Sequence, residues 1–279
     1  MQLGNAAWGL RETPLEQQLA ITAAMGLELL ELSIAGYDRD YLQLDADEKK
    51  IAEVAELFRR YNVRLDCACT GNDFTGDDAA EQLTKVKTVI DIASKLGVKL
   101  LRIFAGFRSD SEVAGPRFGR MIDCLRSAAE YAAPRGVTLA VETHGGVMTN
   151  GDALVHFASA TTRIDWWDDI LSTGVSINYD PANFAAVGAT DPVAFYNRFK
   201  KAIQYVHLKD FRSVEGGVLP AACGEGRLDW PALMAALADY TGPALIEYEL
   251  PGDVTITFGS QELTFPKKDI ALVRLRVEF

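Results

Sequence analysis

The chain has 279 residues, of which 48% are hydrophobic, and a formal net charge of -11. Such a chain can bury a large core, and its length suits either one α/β barrel or two small domains. Its acidity argues against non-specific binding to nucleic acid or to an anionic membrane, because both partners call for an excess of Lys and Arg and no basic block is present. The opening MQLGNAAWGL has no positive region followed by a long apolar stretch. No segment reaches the roughly 18 apolar residues of a membrane span. The expectation is a soluble, cytoplasmic protein. Cys67, Cys69, Cys124 and Cys223 lack paired C-x-x-C spacing, which points to packed, reduced thiols rather than zinc ligands.

A pattern recurs along the chain: an amphipathic helix, a Gly or Asn that stops it, an apolar residue and then a strand. The junctions are Gly26-Leu27, Asn62-Val63, Gly97-Val98, Gly136-Val137, Gly174-Val175 and Gly242-Pro243. The small residue suits the left-handed position after a helix, and the apolar run suits a strand buried on both faces. Intervals from 26 to 174 lie between 35 and 39 residues, and the gap of 68 to Gly242 holds two units if Lys201-Ala202 is an unpunctuated junction. With an opening strand this predicts eight strands, at about 2-8, 28-33, 63-69, 98-104, 137-142, 175-180, 203-208 and 243-248. Eight βα repeats give the α/β fold class and one (β/α)8 TIM barrel spanning 1-279. Turns entering the strands are short, whereas TGNDFTGDD, AGFRSDSEVAGPR and FRSVEGGVLPAACGEGRLD leave them as long loops. The long loops mark the C-terminal mouth as the binding end. In the tail, ALVRLRVEF alternates like a strand, whereas barrel closure calls for a helix near Pro266 to Val277.

Four of the strands end on metal-binding side chains: Glu142, Asp180, His207 and Glu247 close strands 5 to 8. Neighbouring strands bring them together, and a buried carboxylate cluster calls for a counter-charge. A donor set of oxygen and nitrogen without thiolate fits a catalytic divalent ion with open positions. The alternative is that these acids cap nearby helices or solvate the barrel mouth.

These residues sit in the motifs LGNAAWGL, VETHGG, INYDPANF, YVHLKD, GEGRLDW and ALIEYE. Through them the chain resembles the xylose-isomerase-like barrel superfamily, which includes sugar and sugar-phosphate isomerases and epimerases, inosose isomerases and dehydratases, and endonuclease IV. The resemblance implies one divalent ion, Mn²⁺ foremost with Mg²⁺, Co²⁺ or Zn²⁺ as alternatives, held by Glu142, Asp180, His207 and Glu247. It also implies that Glu142 and Glu247 move the substrate proton through an enediolate. Ketose 3-epimerases of this type carry an acid six residues beyond the first Glu and a His three beyond the Asp; here Met148 and Asn183 stand at those positions.

Further candidates for substrate contact are Trp8, His144, Asn183, Lys209 and Arg212, each with an ordinary structural or surface role as the alternative. Asp210 is expected to hold Lys209 or order its loop. Gly224-Glu225-Gly226 lacks the strand-turn-helix context of a dinucleotide fingerprint. Trp166 and Trp167 are expected to pack between helix 5 and strand 6, with His156 structural within helix 5. The functional expectation is a metal-dependent isomerase or epimerase of a sugar, sugar phosphate or inosose, with a small carbohydrate as partner. No nucleic-acid or membrane partner is expected, and homo-oligomerisation is left open. A lyase or dehydratase on the same scaffold is the alternative, and a non-catalytic metal-binding barrel is the reading from another class. A three-metal nuclease is disfavoured, because the chain has only three histidines.

Overall fold

The helix Ala79–Leu96 stops at Gly97, whose φ of 76° is left-handed, and the chain turns directly into the strand Leu100–Ile103. The same device works at Gly26, Asn62, Gly136 and Gly174. Gly242 lacks the left-handed φ; it is needed for space, since a Cβ there would meet the Tyr240 hydroxyl. In this computed structural model the described residues are 1–248 and the strands Val254–Phe258 and Gln261–Phe265.

Among the described residues the barrel strands are β1 (Gln2–Asn5), β2 in two pieces (Leu29–Leu30 and Leu32–Ser33), β3 (Cys67–Cys69), β4 (Leu100–Ile103), β5 (Thr138–Glu142), β6 (Ser176–Tyr179), β7 (Ile203–Leu208) and β8 (Pro243–Ile246). All pairings are parallel, in the order β2-β1-β8-β7-β6-β5-β4-β3-β2. The sheet begins on one piece of β2 and ends on the other, so the split at Glu31 closes the barrel. The eight expected strands are present. They are shorter at their ends than the apolar runs suggested, and Trp8–Leu10 is a 3-10 turn rather than strand.

Side chains two residues apart share a face of a strand. The inward residues Leu29, Cys67, Ala140, Tyr205 and Leu245 pack with Ala6 and Leu100 into an apolar plug inside the barrel. The next inward residues toward the C-terminal ends are Glu31, Cys69, Arg102, Glu142, His207 and Glu247, all buried. A larger apolar cluster lies between the barrel and its helices. The free thiols of Cys67, Cys69 and Cys223 are buried, and burial raises their pKa values, Cys223 to about 12.

The mouth departs from the simple repeat. Gly146–Asn150 and Ala153–Phe157 form an antiparallel hairpin around Gly151, whose φ of 59° suits a primed two-residue turn. Asp210–Val214 and Gly217–Ala221 form a second hairpin, and Val218 pairs with Leu154, giving a four-stranded cap. His156 therefore lies on a cap strand and not in helix 5, whose place is taken by short turns and the helix Trp167–Leu171. Gly146 fixes this geometry, because any Cβ there would collide with the Phe157 ring. Trp167 is buried against Phe195, and its Nε1 donates to the Thr161 carbonyl at 2.9 Å. Val254–Phe258 and Gln261–Phe265 pair as an antiparallel hairpin. The helix expected near Pro266 to Val277 lies outside the described residues. No helix among the described residues is long and apolar enough to cross a membrane.

Candidate metal centre and active site

Parallel register brings the strand ends level: Glu142 pairs with Asn178, Val206 with Tyr179, and Leu208 with Ile246. Glu142, Asp180, His207 and Glu247 then offer ligand atoms that all lie within 4.8 Å of one another, and all four residues are buried. Asp180 combines the two roles open to a strand-end acid. Its Oδ1 caps the helix Pro181–Val187, accepting from the backbone N–H groups of Ala182 at 2.9 Å and Asn183 at 3.2 Å. Its Oδ2 turns to the cluster, 2.9 Å from Lys209 Nζ, which also lies 3.0 Å from Glu247 Oε2. Neither of these carboxylate oxygens accepts a hydrogen bond of good geometry from the described residues. Buried, unsatisfied carboxylate oxygens beside an imidazole form a donor set suited to Mn²⁺, Mg²⁺ or Zn²⁺, so the residues fit a divalent ion.

His207 is oriented for this role. Its Nδ1 faces Glu247 Oε2 at 3.4 Å and Glu142 Oε1 at 3.8 Å, while Nε2 faces Glu31 Oε1 at 3.8 Å. A carboxylate behind the far nitrogen is the usual support for a metal-bound imidazole. Glu31 is held by the Ala7 backbone N–H at 2.9 Å and by the Tyr205 hydroxyl. Arg102, 1% exposed, places Nε 3.2 Å from Glu142 Oε2 and donates from Nη1 to the Thr70 carbonyl at 3.2 Å.

The titration behaviour follows from these contacts. Burial opposes ionisation of Glu142, but Arg102 and His207 outweigh it and the carboxyl lies at about 2. Burial likewise opposes ionisation of Glu247, yet Lys209 and His207 hold it well below the usual range. Burial raises Asp180 to about 6; Lys209 acts against that shift, while Glu247 and Glu142 add to it. His207 is held well above its ordinary value: burial works against the imidazolium, but Glu247, Glu142 and Glu31 prevail.

Of the expected substrate-contact residues, Trp8, His144 and Lys209 line a cavity of about 430 Å³ with Glu142 and Glu247. The Trp8 ring packs on Tyr37 at 5.1 Å, and His144 sits edge-on to Phe104 at 5.3 Å. Asn183 is buried and does not line this cavity; its Nδ2 donates to the Thr143 carbonyl at 3.0 Å and to Glu142 Oε1 at 3.4 Å. Arg212 is not brought to the cavity. Strand alternation buries Phe211 and turns Arg212 to solvent. Asp210 orders its loop, accepting from the backbone N–H groups of Gly224, Gly226 and Arg227 and from Trp230 Nε1 at 2.7 Å. Met148 is 56% exposed on the cap.

The sequence reading missed Glu31, Arg102, Tyr37, Phe104, Phe107 and the cavity-lining His156. A signal existed for the first two: each is a lone charge in an apolar run, LLELSI and LLRIF, two residues beyond an inward-facing leucine.

The comparisons agree with this architecture. The probable 3-DHS dehydratase AsbF of petrobactin synthesis from Bacillus anthracis superposes with a TM-score of 0.71 at 16% identity, covering 90% of this chain and 93% of that one. The IOLI protein with a bound zinc atom gives 0.71 at 18% identity, covering 90% of each chain. The 3-keto-D-glucoside 4-epimerase YcjR from E. coli, in its apo form, gives 0.67 at 15% identity, covering 90% and 92%. At such identities these likenesses speak for the fold alone. A search of curated protein sequences gave no match. The sequence profile described as Xylose isomerase-like TIM barrel matches residues 19–267, and the chain belongs to that family.

Proposed function

We propose that this protein is a divalent-metal-dependent isomerase or epimerase of a keto-sugar or related polyol ketone, in which Glu142 and Glu247 exchange a carbon-bound proton with the substrate. The observation that carries the reading is the convergence of Glu142, Asp180, His207 and Glu247 within 4.8 Å, with Glu142 and Glu247 also lining the cavity. These four residues would hold the ion. When bound, it supplies Lewis-acid polarisation of a carbonyl and its neighbouring hydroxyl, which favours loss of the proton between them.

The protein's own groups divide the remaining work. Glu142 and Glu247 are both ionised at neutral pH, so either can accept the proton as an enediolate forms and return it to the same or the adjacent carbon. Arg102 fixes Glu142 from behind, Asn183 donates to its other oxygen, and Lys209 steadies Asp180 and Glu247. Trp8 and Phe104 form apolar walls against which a sugar ring or chain can lie.

A dehydratase is the second reading, favoured by the Lys209 ammonium beside Glu247, which can protonate a departing β-hydroxyl. Proton NMR in deuterated water, with added Mg²⁺ and a panel of keto-sugars and inososes, tests both. Solvent deuterium entering a substrate carbon with conserved mass supports the isomerase. Loss of water with a new unsaturated chromophore supports the dehydratase. No exchange and no loss across the panel contradicts both.

A further inference from the structure

The cavity changes character from its floor to its mouth. Glu142, Lys209, Arg102 and Glu247 are buried at the floor. Most of the less buried lining is apolar or aromatic, namely Trp8, Tyr37, Phe104, Phe107, Val147 and Leu154, with the imidazoles of His144 and His156 between them; Val147, Leu154 and His156 are carried by the cap hairpin. We propose that this cavity takes an uncharged keto-sugar derivative bearing an apolar substituent, with the sugar at the floor and the substituent in the mouth, and that it discriminates against sugar phosphates. The proposal rests on the carbohydrate reading above and names its substrate class.

Charge balance is the first argument. Four carboxylates, Glu31, Glu142, Asp180 and Glu247, face two side-chain cations, Arg102 and Lys209. Of these carboxylates, Glu142 and Glu247 line the cavity floor, each already paired with its cation. A neutral substrate adds no charge against those carboxylates, whereas a phosphate dianion would be set against them.

The second argument is the absence of a phosphate clamp among the described residues that line the cavity. Phosphate recognition calls for Arg or Lys donors directed at its oxygens. Arg102 is engaged by Glu142 at 3.2 Å, and Lys209 by Asp180 at 2.9 Å and Glu247 at 3.0 Å. His156 lines the same wall against Phe211, and burial pushes its imidazole down to about 3, so it is neutral.

Size is the third. At about 430 Å³ the cavity falls in the range that encloses drug-sized ligands, roughly 300 to 1,000 Å³. It has room for a monosaccharide and an attached group.

Calorimetric titration of the Mg²⁺-loaded protein with phenyl β-D-glucopyranoside, methyl β-D-glucopyranoside and D-glucose 6-phosphate tests the proposal. The phenyl glucoside is expected to bind about tenfold or more tighter than the methyl glucoside, from the added apolar contact, and glucose 6-phosphate more weakly than either. Val147 is 39% exposed, so Val147→Lys should fold, and it should narrow the preference for phenyl glucoside over glucose 6-phosphate by about tenfold; Val147→Thr should leave the order unchanged. Glucose 6-phosphate binding as well as the methyl glucoside, no advantage for the phenyl group, or no binding of any probe would each overturn the proposal. The outcomes separate from those of the catalytic reading. A phenyl preference without solvent-proton exchange in any keto-sugar leaves the subsite and removes the isomerase; exchange in a protein that prefers glucose 6-phosphate does the reverse.

Discussion

Two successive rungs of the barrel interior share strands and register but little chemistry. The lower rung, with Leu29, Cys67, Ala140, Tyr205 and Leu245, is an apolar plug. Two residues further on, Glu31, Cys69, Arg102, Glu142, His207 and Glu247 form a buried rung that is mostly ionisable. The lower rung stabilises the barrel by excluding water. The upper rung carries buried carboxylates that depend on Arg102 and His207 as partners, and burying such pairs contributes little net stability. The contrast shows how one backbone period can serve folding at one level and chemistry at the next.

The largest expected difference between the rungs is in proton transfer. Glu142→Gln and Glu247→Gln should each lower solvent-deuterium exchange into substrate by about 10² to 10⁴-fold, the usual worth of a positioned acid or base, with circular dichroism and cooperative melting retained. Near-normal exchange in both variants would move the chemistry elsewhere.

Next in size is the loss of Arg102. Arg102→Met leaves Glu142 and Glu31 without their buried cation, at a cost of about 3 to 5 kcal/mol in chemical denaturation. The variant should also change the acid limb of stability, measured with chelator present. Glu142 lies at about 2, below the ordinary 4.5. Its contribution is therefore present above pH 4.5 and lost as pH falls from 4.5 toward 2. Without Arg102 that loss should shrink. An unchanged acid limb would mean that Arg102 does not hold Glu142 down.

Leu29→Ala probes the lower rung. It should cost about 2 to 5 kcal/mol of stability, as truncation of a buried leucine does, while the affinity for Mn²⁺ stays within about threefold of wild type. A large loss of metal affinity would show that the two rungs are not separable. The smallest effect is expected at Arg212. Arg212→Ala, on the solvent side of the cap, should change stability by less than about 0.5 kcal/mol and leave turnover of the preferred substrate unchanged. A marked fall in kcat/KM would return Arg212 to the site.

The barrel was legible in the sequence because each helix stop and apolar run is local: Gly97 followed by VKLLRI announces both events within a few residues. Glu142, Asp180, His207 and Glu247 were legible because each closes such a run. Glu31 and Arg102 were overlooked because their partners lie on other strands; Arg102 meets Glu142 40 positions away, with nothing in either local pattern to join them. The cap was misread as a helix and a loop. The turn signal Asn150-Gly151 was present, but the assumed βα alternation overrode it, and with it went the correct placement of His156. Arg212 was assigned by closeness to His207 in sequence, whereas the alternation of its strand turns it to solvent.

The central claim is that one divalent ion binds between the ends of β5, β6, β7 and β8. A crystal of the protein soaked in Mn²⁺, with anomalous diffraction recorded at the manganese edge, tests it most directly. The account predicts one strong peak within about 2.0 to 2.6 Å of a carboxylate oxygen from each of Glu142, Asp180 and Glu247 and of His207 Nδ1. An anomalous map that is featureless there, or whose main peak lies on other residues, would contradict it.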